Sequence, residues 1–298
     1  ILGALPMVAT IFSQGRFNMR KVLLATTALV ALGGVSAAHA DITISGTAEF
    51  AYDRPNGADG TMSSDGSLVI KSTNTTDNGL TISAIVDQKW EAGTPQDSYI
   101  EVKGDFGTFM FGKTDTALDR QDAKLTGRSL AVQEQGDPTS GRDKANVFIG
   151  GDSDSVNFIS NNMSGVTVYL SADQTNTDYG ATYSMGPITV GMQKRNGATD
   201  DTLVGMGLSA AGFTIQAATL EKETDTGTKT KATDFGVAYT LGEIGLAAFT
   251  SNGQSDAITG IGATYDIAPG LSARVESYSA ETSGAKTEGV YTELRVKF

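Results

Sequence analysis

The sequence predicts an all-β fold, a transmembrane antiparallel up-and-down β-barrel of about sixteen strands, and three observations carry that expectation. Apolar and polar residues alternate over segments of roughly eight to twelve residues, the pattern of a strand with two unlike faces. Short connections containing Gly or Pro take turns with longer polar ones, as in a meander whose tight turns gather at one end. The apolar faces are thin, built from Ala, Gly, Thr, Val and Ile, while the opposite faces carry charge. That arrangement suits a water-filled interior better than the bulky aliphatic core of a soluble β-sandwich, the competing fold.

Taken in order, the chain opens with residues 1–18, which precede Met19 and are read as an upstream extension outside the mature protein. Residues 19–40 have a secretory layout: Arg20 and Lys21, then the apolar run 22–35, then Ala38-His39-Ala40 in the small-x-small form of a cleavage site. The run is shorter than the about 20 residues of a spanning helix, and an uncleaved anchor is the alternative. Cleavage would leave 41–298 as the mature domain. Residues 1–40 hold Arg16, Arg20 and Lys21 and no acid, so their loss takes the formal charge from −12 to −15. It also removes His39, the single histidine.

This composition excludes several functions. With no Cys and no mature His, Ser-His and Cys-His catalysis and soft-ligand metal centres are out of reach. Paired carboxylates are the acid–base chemistry left. The acidic balance argues against nucleic acid as a partner, because phosphate binding needs clustered Lys and Arg. No internal repeat and no domain boundary is visible after residue 40.

Strands are expected near 42–52, 63–73, 79–90, 97–105, 107–113, 154–161, 166–173, 178–185, 188–196, 201–210, 213–222, 231–241, 244–251, 257–267, 271–280 and 287–298. The last shows the alternation plainly. Val290, Thr292, Leu294, Val296 and Phe298 share one face, and Tyr291, Glu293, Arg295 and Lys297 the other. Asp87, Lys89, Glu101 and Lys103 fall on polar faces by the same rule. Sixteen strands of about 9–11 residues, the length that crosses a bilayer at a tilt, fit within 41–298 and leave room for loops. Phe50, Tyr52 and Trp90 are placed near the long-loop ends and Phe106, Phe109 and Phe298 near the short-turn ends, as interfacial girdles. Phe109 and Phe111 could instead sit between subunits.

Residues 114–153 break the pattern as a loop of about forty residues, and connections that long tend to be functional. Asp115, Asp119 and Asp122 recur at three- and four-residue spacing, so a short helix over 114–125 would put them on one side. One reading is a solvated external loop. The other is a loop folded into the barrel, its acids lining a constriction. Clustered carboxylates could also hold Ca²⁺, although Asp152-Ser153-Asp154 lacks the Gly and Glu of a calcium loop. No cofactor is otherwise expected.

The leader, the hairpin Gly104-Asp105-Phe106-Gly107-Thr108-Phe109-Met110-Phe111-Gly112-Lys113 and the strand from Tyr291 to a terminal Phe298 together resemble the Gram-negative general diffusion porins of the outer membrane, especially the Rhodobacter-like alphaproteobacterial type. The resemblance spans essentially all of 41–298. It implies a sixteen-stranded homotrimeric barrel whose long loop folds into the pore, with loop acids facing basic residues on the wall. On this chain the acids match Asp115, Asp119 and Asp122, and the wall candidates are Lys71, Lys89 and Lys103. Phe298 matches the terminal signal read by the barrel-assembly machinery. Outer-membrane lipids, lipopolysaccharide and small hydrophilic solutes are the other implied partners. Passive diffusion with a mild preference for cations is the expected function, and no enzymatic activity is expected. A substrate-specific channel, or an adhesive barrel acting through loops at 223–230 and 281–286, stays open.

Overall fold

The computed structural model describes residues 40–90, 95–122, 124–131, 151–197, 199–253 and 256–298. The expected extension and leader, save Ala40, lie outside the described residues. Sixteen strands follow one another: β1 (Asp41–Pro55), β2 (Thr61–Thr75), β3 (Thr81–Lys89), β4 (Asp97–Gly104), β5 (Gly107–Asp115), β6 (Asp152–Ser160), β7 (Val166–Ala172), β8 (Thr177–Met185), β9 (Ile188–Asn196), β10 (Thr199–Ala210), β11 (Phe213–Thr224), β12 (Lys229–Leu241), β13 (Ile244–Asn252), β14 (Asp256–Ala268), β15 (Leu271–Thr282) and β16 (Ala285–Lys297).

Each strand pairs antiparallel with its sequence neighbours, and β1 pairs with β16 from Thr47↔Lys297 to Pro55↔Gly289, closing the barrel. Closure leaves no sheet edge, which is the condition for a sheet inside lipid, where an unpaired backbone amide has no water to turn to. The tight turns obey local stereochemistry. Ala211-Gly212, both with positive φ (52° and 82°), make the two-residue hairpin between β10 and β11.

Every expected strand is present, with ends shifted by at most three residues, and 63–73 grows into the 15-residue β2. The strands run longer than the apolar alternation because their polar ends keep pairing above it. The long connections shrink accordingly.

Burial separates the two faces. On β16, Tyr291, Glu293 and Arg295 are at most 4% exposed, while Val290, Leu294 and Val296 are at least 40% exposed. Side chains on the concave face of a cylinder crowd together and those on the convex face splay apart, so the polar set faces the axis. The outward face is apolar along all sides, with Ile44, Ile100, Val156, Leu170, Met206, Leu246 and Ile261 exposed. Aromatic rings gather at the short-turn end, where Phe109 lies 5.7 Å from Phe106 and 4.7 Å from Phe158 between ring centroids.

The expected helix over 114–125 is corrected. Asp115 still belongs to β5, paired with Asp152, so helix can begin only after it. What forms is one turn, α1 (Asp119–Asp122), entered through Thr116, whose Oγ1 accepts the Asp119 N–H at 3.3 Å. A 3₁₀ turn (Gly127–Leu130) follows. The three acids therefore do not share one helix face. Residues 132–150 of the same connection lie outside the described residues.

Candidate functional site

Register decides which charged side chains meet on the inner face. On β2 to β4 the pairs Lys71↔Ile85, Ser67↔Lys89 and Thr81↔Lys103 put Lys71, Lys89 and Lys103 on the axial side, together with Asp87, Asp97 and Glu101. The three lysines are not gathered at one level. Counted along β3, Lys89 and the partner of Lys103 lie four residues to either side of the Lys71 level, about 13 Å each way at a strand's rise per residue. Lys71 reaches across to Glu101, Nζ to Oε1 3.2 Å.

Arginines missing from the expected wall set occupy the rest of that face. Arg195 on β9 donates through Nε and Nη2 to the two carboxylate oxygens of Asp178 on β8, both at 2.8 Å. Arg295 on β16 lies 3.0 Å from Glu49 of β1 and 2.6 Å from Glu293, so charge crosses the seam where the barrel closes. Alternation on β9 and β16 was the signal that could have found them.

The connection after β5 lies against this face from β6 to β15. The Ala117 N–H donates to Ser171 Oγ at 2.7 Å on β7, and Gln193 Nε2 of β9 donates to the Leu118 carbonyl at 3.1 Å. Leu118 and Leu125, both fully buried, form an apolar cluster with Tyr169, Leu203, Ala218 and Leu220. Ser129 Oγ donates to Gln216 Oε1 of β11 at 2.8 Å, and Ala131 packs on Phe249, Ile258 and Ala280. An apolar cluster on the charged side of the wall is anomalous for a water-filled barrel until the segment that covers it is considered. Leu203 and Leu220 exist to hold Leu118 and Leu125.

The loop acids fall at the edge of this arrangement. Asp115 ends β5 directly opposite Asp152, a like-charge cross-strand pair. Asp119 lies on α1, and burial first, then the charge of Asp152, pushes its carboxyl above the ordinary aspartate range, against the pull of Arg120 and Arg195. The Asp122 side chain lies outside the described residues. Arg120, not foreseen, stands among these acids with its guanidinium 5.6 Å from the Tyr99 ring centroid. Gln121 is fully buried, and neither amide atom has a hydrogen-bond partner among the described residues. Phe298 is anchored by its backbone, its N–H and carbonyl bonded to Gly46 at 3.1 and 2.9 Å, with its ring over the space that Gly46 leaves.

No group of three or more Asp, Glu or His side chains among the described residues is arranged to hold a metal ion. The arrangement provides charged and hydroxyl side chains around a space, with one segment seated on part of the wall. It has the parts of a passage.

Comparison with known proteins agrees. A family model described as Gram-negative porin matches residues 25–293. Among solved structures, a double mutant of the porin from Rhodopseudomonas blastica superposes with a TM-score of 0.68 at 20% identity, over 87% of this chain and 100% of that one. A loop-deleted form of OmpT, an outer membrane protein of Vibrio cholerae, gives 0.69 at 11% identity, over 87% and 99%. At such identities the likeness is one of fold. No curated protein sequence matches.

Proposed function

The chain belongs to the Gram-negative porin family, channels of the outer membrane rather than enzymes, and on that premise we propose that it is a general diffusion channel for small hydrophilic solutes with a mild preference for cations. The segment after β5 narrows the passage in this reading. The observation that carries it is the one-sided seating of that segment. Its leucines and backbone rest on β7 to β12, while Lys71 on β2 and Lys103 on β4 remain partly or fully exposed on the inner face.

The mechanism then follows from hydration and charge. Solutes stay hydrated along a wall of Thr, Ser, Asp, Glu, Lys and Arg, so transit needs no binding step. Asp115, Asp119 and Asp122 are assigned as the acids of the narrowed region and Lys71, Lys89 and Lys103 as basic residues of the wall, and the field between acids and bases orients polar solutes. The acidic balance, −12 for the whole chain, raises the local concentration of cations. Salt weakens this, because fields in water are screened within about 10 Å at 0.1 M.

The same reading makes 41–298 the mature chain, a homotrimer in lipid and lipopolysaccharide, with Phe298 presented to the barrel-assembly machinery. It assigns no bound ion; Ca²⁺ at Asp115 and Asp152 would be a transient counter-ion there.

Single-channel recording of purified 41–298 in planar bilayers, with the reversal potential taken across a KCl gradient, tests this. Large ohmic steps closing in threes with K⁺ favoured are expected. Absence of conductance from a folded barrel, or a preference for Cl⁻, overturns it.

A further inference from the structure

The inner face of the wall under the loop segment is made of glycine. Gly180 on β8, Gly191 on β9, Gly205 and Gly207 on β10 and Gly236 on β12 all occupy axial positions, and each lies against residues 118–127. At two of these sites a methyl group would come within 2.5 Å of the segment's own backbone. A Cβ on Gly207 would stand 2.5 Å from the Lys124 carbonyl oxygen, and one on Gly236 would stand 2.3 Å from the Gly127 carbonyl oxygen. The approach is mutual, since a Cβ on Gly127 would stand 2.0 Å from the Gly236 nitrogen. At Gly180 a Cβ would meet the Met192 carbonyl oxygen of the neighbouring strand at 2.8 Å, and the nearest part of the loop is the movable end of Leu118, at 3.1 Å. Gly245, axial on β13, has nothing nearer than 3.7 Å.

Glycine inside a strand weakens it, and its usual justification is the close approach of another backbone. Here that backbone is the segment after β5. The glycines have no turn to make, because none of these five has positive φ.

We infer that this glycine bed, with Gly207 and Gly236 as its positioning residues, fixes how deep the segment lies and thereby sets the exclusion limit of the channel from the wall opposite the open side. The inference rests on the proposal that the segment narrows the passage. In the ring of sixteen strands, β10 lies eight places from β2, so anything that lifts the segment off β10 and β12 drives it toward Lys71. Restoring an ordinary contact of about 3.5 Å from 2.3–2.5 Å requires a lift of about 1 Å. The pore narrows by that displacement, with no charge changed.

The test compares Gly207→Ala, Gly236→Ala, Gly180→Ala and Gly245→Ala in the full barrel, by unitary conductance and by the size cut-off of sugar uptake in proteoliposomes. Folding is scored by the heat-modifiable band in electrophoresis. Gly207→Ala and Gly236→Ala should give smaller steps and a lower cut-off, with Gly180→Ala and Gly245→Ala near the parent. Gly127→Ala leaves every strand unchanged and should narrow the pore as Gly236→Ala does, which keeps the test decisive if a strand variant fails to fold. Steps of parental or larger size in Gly236→Ala and Gly127→Ala overturn the inference, as does an equal fall in Gly245→Ala. A parent barrel that does not conduct instead overturns the channel reading beneath it.

Discussion

Replacing Leu125 by Ala should release the segment after β5 while leaving the barrel folded. Leu125 is fully buried, enclosed by Leu118, Tyr169, Leu203, Ala218 and Leu220. Truncating a buried Leu to Ala costs about 2–5 kcal/mol, the larger values where the surroundings cannot collapse into the space. Leu203 and Leu220 face each other on β10 and β11, strands held by backbone bonds on both sides, so the upper half of that range applies. The loss does not fall on the barrel as a whole. The segment can open by itself, and the energy is taken from that local equilibrium. At tenfold per 1.4 kcal/mol the opened fraction rises roughly 300- to 3,000-fold. Amide hydrogen exchange of the detergent-solubilised protein reads this directly at Ala117, whose N–H is buried on Ser171, with the strands as internal standard. Unchanged exchange at Ala117 and Lys124 would refute the reasoning. The polar bonds to Ser171, Gln193 and Gln216 would then be the whole attachment.

Gln121→Met replaces a buried amide lacking hydrogen-bond partners among the described residues by an apolar chain of similar size, so exchange over 116–131 should slow, by about 1–3 kcal/mol in opening energy; faster exchange would mean the amide is satisfied. Asp119 is held above its ordinary value of 3.8 by burial and by Asp152. The docked segment therefore binds the proton more tightly than the free one, so docking weakens as pH rises through the window above 3.8 and is firmest below it. Cation preference should fall as pH drops through that same window, and Asp119→Asn should flatten both profiles; a variant that tracks the parent across the window would sink the idea. Arg295→Met removes the cation that bridges Glu49 and Glu293 across the β1–β16 seam while Arg274 stays 3.7 Å from Glu293, so the cost falls below the about 3–5 kcal/mol of a wholly unpaired buried charge and should still lower the temperature at which the heat-modifiable band is lost. Lys71→Gln removes a part-exposed bridge to Glu101 worth no more than about 1 kcal/mol, so stability should barely move while the reversal potential shifts toward K⁺. A stability loss without that shift would mean that Lys71 is a strut and no part of the ion path.

The fold was legible because alternation survives every local accident. Val290 to Val296 could be sorted into two faces from the sequence, and burial sorts Tyr291, Glu293 and Arg295 from Val290, Leu294 and Val296 in the same way. Register was not legible, and it governs which residues meet. Alternation assigns Lys71, Lys89 and Lys103 to one face of the wall, but only strand pairing reveals that they are spread along it. The spacing of Asp115, Asp119 and Asp122 suggested a helix face because spacing carries no information about where a strand stops. Cross-strand pairing with Asp152 keeps Asp115 extended.

The glycines show what a sequence of this kind conceals and why. Gly180, Gly191, Gly205, Gly207 and Gly236 each read, one at a time, as a weak point in a strand. Their parity was available, since alternation alone places every one on the polar side. What was not available is that Gly205 lies beside Gly191 and Ala218, and Gly207 beside Gln216, which pairs in turn with Gly236. Adjacency turns separate weak points into a surface, and only then does the leucine pair Leu203 and Leu220 beside it become intelligible as a seat rather than a misplaced core. A channel wall that must stay wet on one side and grip a backbone on the other needs this combination. Larger side chains would hold the segment away, and charged ones would leave Leu118 and Leu125 against groups that cannot be desolvated cheaply. In the channel proposed above, the narrow point is written in residues that touch no solute.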